Sequence, residues 1–259
     1  ELDLFFGADE SDRVLADDFT CHLFDLPGTG GSEWSERSKI SLTDHARSVR
    51  QIVDRLELRH YAILAHDSGA VVARLAAADD DRVQGLVLGN TEIAGYRAWQ
   101  IGLFVLTERI PFGALLFGLS LRLRAVRRSS LAYGGCFRDP HFGEGEFHQL
   151  FLGPLQRSRR RFLGQRRLIR GLDLKVIDTL GQVDARIRRP VHFIWGADDP
   201  FFPLAVLKPT LAQFGGGVSL TAIPAAKLFV HEEFPNQFAD EARRFLLHRM
   251  TQPAASASA

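Results

Sequence analysis

The sequence predicts an α/β protein in which a mostly parallel sheet is covered by helices on both faces. Five short apolar runs, each bounded by Gly, Pro, Asp or Asn, have the length of buried strands. Helix-compatible stretches separate these runs, and buried strands that alternate with helices favour a parallel sheet. The 259 residues, 46% hydrophobic and 24% charged, are typical of one globular chain with a large core.

The predicted elements follow from local patterns along the chain. Helices are expected over 44–56, where Ser41 and Thr43 are candidate caps, over the alanine-rich stretch 70–78 and over 237–248. The strands are expected, in chain order, at CHLFD (21–25), YAILA (61–65), VQGLVLG (83–89), VHFIW (191–195) and VSLTAI (218–223).

Charge divides the chain into parts. Residues 97–170 contain 14 Arg, no Lys and four acids, a net charge of +10 in a chain whose total is +1. We therefore expect a first core part at 1–96, a helical insertion at 97–176, a second core part at 177–252 and a disordered tail at 253–259. The arginines favour either a solvated helical face or a lid that attracts anions.

Composition also limits partners and cofactors. The low net charge gives no reason to expect nucleic-acid binding, and no apolar run is long enough for a spanning helix. Cys21 and Cys136 are far apart and lack neighbouring ligands, so neither a disulfide framework nor a zinc site is expected. We expect a small-molecule substrate, no cofactor, no metal, no membrane partner and a cytoplasmic location. The oligomeric state stays open, a homodimer included.

A candidate nucleophile follows the YAILA strand. His66, Asp67, Ser68 and Gly69 lead directly into a helix, with Ala65 two residues before Asp67. Small residues on both sides of a tight strand-to-helix corner are typical of a nucleophile elbow, which places one side chain above the sheet edge. The amide of Ser68 and the start of the helix are then available to stabilise negative charge. The alternative is that Asp67 only caps the helix.

Two further residues follow later strands, at the same edge of a parallel sheet. Asp199 comes after VHFIW, where an acid is able to orient an imidazole, and His231 lies in a predicted loop before the last helix. The alternatives are a turn residue for Asp199 and an exposed polar residue for His231.

Together these pieces resemble the α/β-hydrolase family. The resemblance covers most of 20–247 and implies that 97 to about 176 is the helical cap of that fold. In the family's order of nucleophile, acid and histidine, it implies Asp67, Asp199 and His231. The matching motifs are DLPGTGGS (25–32), HDSGA (66–70), WGADDPFFP (195–203) and KLFVHEEFP (227–235).

The aspartate decides the predicted reaction. A carboxylate that attacks a carboxylic ester makes a reactive anhydride, whereas attack on saturated carbon leaves an ordinary ester. The His-Asp elbow resembles the epoxide hydrolase and haloalkane dehalogenase branch. This implies an alkyl-enzyme ester on Asp67, hydrolysed by water that His231, oriented by Asp199, activates. Ser68 stands where haloalkane dehalogenases of this type have a halide-binding Trp, so an epoxide is favoured.

Other residues complete the expected pocket. Ser68 and Tyr133 are the candidate oxyanion, halide or cap donors, and a packing role is the alternative for Tyr133. Glu92 ends a strand close to the elbow, where some dehalogenase relatives draw their acid. The pocket candidates are His66, Glu92, Trp99 and His148.

Two other functions stay open at this stage. One is an esterase or lactonase that uses Ser68, which requires the elbow to shift by one residue. The other is a hydrolase-fold protein that binds a ligand or partner without turnover.

The resemblance also implies strands before the DLPG turn. The third of them lies between the CHLFD and elbow strands and is followed by a loop that donates an oxyanion amide. We expect these N-terminal strands to be missing from an incomplete sequence. The sheet centre then stays open unless residues 1–6 or another chain fill it.

Overall fold

The computed structural model describes residues 3–6 and 14–251 of the chain. At its centre is a six-stranded sheet of order β2-β1-β3-β4-β5-β6, in which all neighbouring strands are parallel. The predicted α/β class and parallel sheet are confirmed. The strands are β1 Asp3–Phe6, β2 Thr20–Leu23, β3 Tyr61–Ala65, β4 Val83–Leu88, β5 Val191–Gly196 and β6 Val218–Ile223.

Strand β1 occupies the position that we expected to be open. Asp3 to Phe6 pair with β2 on one side, and Asp3 to Phe5 pair with β3 on the other. Of the two expected ways to fill this position, residues 1–6 or another chain, the first therefore holds, because residues 3–6 satisfy the backbone groups of both neighbours. Residues 7–13, which follow β1 where the oxyanion loop is expected, lie outside the described residues, as does the predicted tail at 253–259.

Helices connect the strands and cover both faces of the sheet. Ser41 caps α1 by accepting a hydrogen bond from the amide of Asp44, as predicted. The helices are α1 Leu42–Arg55, α2 Asp67–Ala77, α3 Trp99–Thr107, α4 Gly113–Arg122, α5 Arg124–Arg127, α6 Gly153–Arg157, α7 Arg159–Gly171, α8 Leu174–Asp184, α9 Leu204–Thr210, α10 Val230–Glu233 and α11 Pro235–Thr251.

Side chains alternate between two apolar clusters along each central strand. On β3, Tyr61 and Ile63 join the larger cluster with α1, α2 and α8, whereas Ala62 and Leu64 join the smaller one with α11. Burial on both faces explains why the strands appear as continuous apolar runs. Within the described residues, no helix is both long enough and apolar enough to cross a bilayer.

Between β4 and β5 the chain forms α3 to α8, and α8 runs across the predicted boundary at residue 176. Helix α7 lies close to the loop that follows β2. A Cβ atom at Gly164 would lie 2.4 Å from the carbonyl oxygen of Gly28. Arg167 donates to the carbonyls of Ser35 and Ser38 at 2.7 and 2.8 Å. Part of the arginine excess therefore fastens this helix to the core.

Candidate active site

The corner between β3 and α2 is held in a strained conformation. Asp67 has φ of +51°, in the left-handed region that non-glycine residues seldom adopt. Its amide donates to the carbonyl of Asn90 at 2.8 Å, and the Thr91 hydroxyl donates to its carbonyl at 2.8 Å. The N-cap residue of α2 is His66, and Asp67 is the first helical residue. The strained corner therefore belongs to Asp67, and the residues after β4 hold it there.

Three carboxyl groups gather at this corner. Burial raises the pKa of Asp67 well above its usual value, and the nearby charges of Glu92 and Asp199 raise it further against an opposing hydrogen bond from the Ser68 amide. Burial also raises the pKa of Glu92. Asp199 is 4% exposed, and burial raises its pKa to about 6. The three raised pKa values therefore favour the protonated form at a pH where exposed carboxyl groups are ionised.

Asn90 connects the ends of β4 and β5. Its side-chain amide donates to Oδ2 of Asp199 at 2.6 Å, and its Oδ1 accepts from the amide of Gly196 at 2.6 Å. The amide of Phe201 donates to Oδ1 of Asp199 at 2.7 Å. Both oxygens of Asp199 are thus engaged. Asn90 is not among the residues predicted from sequence, although it directly follows Gly89 at the same strand end as Glu92.

The two histidines lie side by side. The ring centroids of His66 and His231 are 4.1 Å apart. Burial lowers the pKa of His231 to about 4, so its imidazole is neutral at pH 7. His231 lies in the short helix α10, and the prediction of a loop there is wrong.

The expected hydrogen bond between His231 and Asp199 is not formed. Nδ1 of His231 is buried and has no hydrogen-bond partner among the described residues, and its Nε2 lies 3.6 Å from Oε1 of Glu232. The oxygens of Asp199 accept from Asn90 and from the amide of Phe201 instead. An unpartnered buried ring nitrogen is costly, so this atom is available for a new contact.

His66 supports the segment that leads to His231. Its Nε2 donates to the carbonyl of Leu228 at 2.7 Å. Burial, and next the neighbouring His231, hold the pKa of His66 well below its usual value. A Cβ atom at Gly89 would lie 3.0 Å from Cδ2 of His66, so the glycine leaves room for the ring. His66, a predicted pocket residue, therefore lies beside the candidate base His231 and against the segment that carries it.

Between β4 and β5, Cys136 lies in electrostatic range of the carboxyl groups, and Tyr133 lies near Cys136. Burial raises the pKa of the Cys136 thiol well above its usual value, and the charges of Asp67 and Asp199 raise it further. Burial, together with Cys136, raises the pKa of Tyr133, so this phenol keeps its proton at neutral pH. An isolated cysteine has no sequence signal that would have placed it at the site.

For two other pocket candidates the structure shows different surroundings. Trp99 on α3 is 60% exposed, and its place in the pocket stays a prediction. His148 approaches the side chain of Gln156 at 3.0 Å and lies near Arg127 and Glu144. In the described part of the chain, no three His, Cys, Asp or Glu side chains are arranged to hold a metal ion.

The comparison with protein families agrees with this geometry. Residues 2–235 match the family model described as alpha/beta hydrolase fold. The chain belongs to this family. The hydrolase is 27% identical over 234 residues to proteins named haloalkane dehalogenase 2 from Mycobacterium tuberculosis and Mycobacterium bovis, an alignment that covers 87% of this chain and 78% of theirs.

Solved structures share the fold of this hydrolase. The epoxide hydrolase CorEH superposes with a TM-score of 0.76 at 20% identity, over 95% of this chain and 91% of its own. A hydrolase from Pseudomonas aeruginosa gives 0.68 at 22% identity, over 95% and 90%. At such identities the likeness shows the fold alone. Family membership confirms the prediction of a hydrolase.

Proposed function

We propose that this hydrolase uses Asp67 as a nucleophile on a small or medium apolar molecule with an electrophilic saturated carbon. The observation that carries the proposal is the backbone of the elbow: Asp67, and not Ser68, has the left-handed conformation at the corner. This supports a carboxylate at the nucleophile position and disfavours the esterase or lactonase alternative, which needs the corner one residue later.

The proposed reaction has two steps. A carboxylate oxygen of Asp67 bonds to the substrate carbon, and the carbon–oxygen bond of the epoxide breaks, with a proton donated to the departing oxygen. His231 then takes a proton from water, which adds to the ester carbonyl. Cleavage of the acyl–oxygen bond, with return of the proton from His231 to the leaving oxygen, releases the diol. The acid formed on Asp67 gives its proton back to the group that protonated the epoxide oxygen, which restores the carboxylate. The His231 imidazole is neutral at pH 7, so it is able to accept a proton, and a carboxylate partner at Nδ1 would strengthen it as a base.

Two observations favour an epoxide over an organohalide. Ser68 follows the nucleophile, so the halide-binding Trp implied by the resemblance is absent from that position. The second is Tyr133, which lies near Cys136 and has a neutral phenol at pH 7, a group that is able to donate to the opening oxygen. The relatives named haloalkane dehalogenase 2 support the second candidate, turnover of a haloalkane. Parallel assays with terminal epoxides and with 1-haloalkanes of equal chain length separate the two.

The orienting acid in this proposal is Asp199, with Glu92 as the competing residue. Both lie in electrostatic range of Asp67. The free Nδ1 of His231 supports a rearrangement in which one of these carboxylates becomes its partner. The variants Asp199→Asn and Glu92→Gln distinguish the two candidates. The one that slows hydrolysis of the ester, but not its formation, identifies the acid that orients His231.

Replacement of His231 by Gln is expected to separate the two steps. The alkyl-enzyme ester still forms, because attack by Asp67 does not use the imidazole, but water is no longer activated. Steady-state turnover falls by roughly 10³-fold or more. Intact-protein mass spectrometry after mixing with an epoxide then shows an adduct of the full substrate mass, and peptide mapping assigns it to Asp67.

His60→Gln is the matched control, since His60 is exposed at the opposite end of β3. This variant is expected to turn over normally without adduct. In heavy-oxygen water, one turnover of the unmodified hydrolase places one label in Asp67 and none in the diol. A label found in the first diol released contradicts the ester mechanism. Inertness toward epoxides, halides and esters favours the binding-protein alternative.

The pH dependence of the rate is expected to follow the carboxyl cluster. Asp67 must be ionised to attack, and its pKa is raised. The decrease of kcat/KM on the acid side is therefore expected at a pH above the usual pKa range of carboxyl groups. Glu92→Gln removes a negative charge that raises the pKa of Asp67, and this decrease is expected to move to lower pH. Profiles of this variant are compared with those of Glu57→Gln, an exposed residue that follows α1. An unchanged decrease in Glu92→Gln contradicts the assignment.

A further inference from the structure

Helices α3 and α4 form a hairpin whose outer side is apolar. On the inner side, Phe104 packs against Phe117 with ring centroids 5.9 Å apart, and Phe117 stacks on Phe162 of α7 at 5.4 Å. The outer side carries large apolar residues that are each at least 39% exposed. Six of them define the hairpin face: Trp99, Leu103, Leu106, Phe112, Leu115 and Leu119.

The exposed residues of the hairpin face follow the helical repeat. Trp99, Leu103 and Leu106 are spaced four and three residues apart and form one stripe on α3, and Leu115 and Leu119 continue on α4. Single exposed leucines are common on protein surfaces. Contiguous apolar stripes on two packed helices are not, and they mark a surface that meets a partner.

The tip of the hairpin presents an aromatic ring. Phe112 has φ of +66° and is 79% exposed. A bulky residue seldom adopts this conformation, and the strain is maintained by the tight turn: a Cβ atom on the next residue, Gly113, would lie 1.9 Å from the carbonyl oxygen of Thr107. The turn therefore holds the Phe112 ring in solvent at the apex.

Positive charge surrounds this apolar surface. Arg109 precedes the tip and Arg122 ends α4; both are exposed, and no acidic side chain among the described residues pairs with them. The acid of the hairpin, Glu108, is buried and accepts from Arg166 at 2.7 Å, so it presents no negative charge outside. With Arg109 exposed near the tip and Arg122 exposed at the end of α4, the hairpin complements an anionic surface.

We propose that the hairpin face binds the surface of a bilayer that contains anionic lipids. Aromatic and aliphatic side chains enter the boundary between headgroups and acyl chains, while the arginines contact the phosphates. A second copy of the chain is the less suitable occupant, since a two-fold interface apposes the same basic patch from both subunits. The expectation of no membrane partner rested on the absence of a spanning run, and binding at the surface needs none.

Sedimentation with vesicles tests this proposal. The hydrolase is mixed with vesicles of phosphatidylcholine alone, or of phosphatidylcholine with phosphatidylglycerol. We expect co-sedimentation with the second kind, at least about tenfold stronger, decreasing as salt is added. Phe112→Asp, and the double variant Arg109→Gln with Arg122→Gln, are each expected to weaken binding by about tenfold or more. Leu56→Asp, an exposed leucine at the end of α1, is expected to bind as the unmodified protein does.

Three results overturn the proposal. The first is equal binding to both kinds of vesicle, and the second is unchanged binding of the Phe112→Asp and arginine variants. The third is the absence of vesicle binding together with self-association, measured by sedimentation velocity and abolished in Phe112→Asp. That result assigns the hairpin face to a second copy of the chain. Thermal melting confirms that each variant is folded. The outcome does not depend on the chemistry proposed for Asp67.

Discussion

Replacement of Asp67 by Asn is expected to abolish turnover of epoxides, with a loss of roughly 10⁴-fold or more in kcat. An amide oxygen is a poor nucleophile toward saturated carbon, and no covalent ester forms. The fold is expected to persist, because the bonds from the Asp67 backbone to Asn90 and Thr91 do not use the carboxyl. Stopped-flow or steady-state assays measure the rate, and mass spectrometry measures the adduct.

Ser68→Ala is the matched variant for this experiment. It changes the neighbouring side chain and keeps the backbone amide that bonds to the Asp67 carboxyl. We expect it to retain most of the epoxide activity. If Asp67→Asn keeps the full rate while Ser68→Ala loses it, the serine is the nucleophile and the protein is an esterase or lactonase. Loss in both, with intact folding, points to a role for the hydroxyl in binding the substrate.

Replacement of Asp184 by Ala is expected to destabilise the protein by roughly 3–5 kcal/mol. Asp184 on α8 forms a bidentate ion pair with Arg74 on α2, at 2.8 and 2.5 Å, and the two side chains are 1% and 3% exposed. Without Asp184 the guanidinium stays buried with an uncompensated charge. The third bond of Arg74, to the carbonyl of Glu92 at 2.8 Å, connects the elbow helix to the carboxyl cluster.

Urea unfolding and thermal melting measure this loss, with a fall in Tm of about 10 °C or more. Asp178→Ala is the matched control, because Asp178 pairs with Arg97 on the exposed surface, and little change is expected there. The double variant Arg74→Met with Asp184→Leu is expected to recover much of the stability, since apolar residues replace both charges. Equal losses in Asp178→Ala and Asp184→Ala contradict this account.

The elbow shows how far local sequence predicts a site. The order of strand, Asp67, Gly69 and helix predicted the corner because a tight turn between two buried elements tolerates few residue types. The same local rule did not predict the contacts of Asp199, whose Oδ2 accepts from Asn90 at the end of a different strand. Contacts between residues more than a hundred positions apart depend on the order of strands in the sheet, which no local pattern contains.

In the segment between β4 and β5, composition predicts the type of structure but not which side chains are buried. Its helical character and arginine excess follow from composition, but the exposure of its apolar residues does not. Trp99 resembles a pocket residue in sequence and lies on the outer side of α3, while Cys136 has no distinguishing motif and lies beside Asp67. In a helix that is apolar on several sides, only its packing partners decide which side is buried.

By itself, the sequence determined the α/β class, the parallel strands, the elbow at Asp67 and the family resemblance. Each depends on short-range constraints of periodicity, turn geometry and residue size. Tertiary structure decided three other features. Residues 3–6 pair with both β2 and β3. His231 lies against His66 and does not bond to Asp199, and α3 and α4 leave an apolar face exposed. These outcomes depend on which distant segments pack together, because burial and hydrogen-bond partners are set in three dimensions.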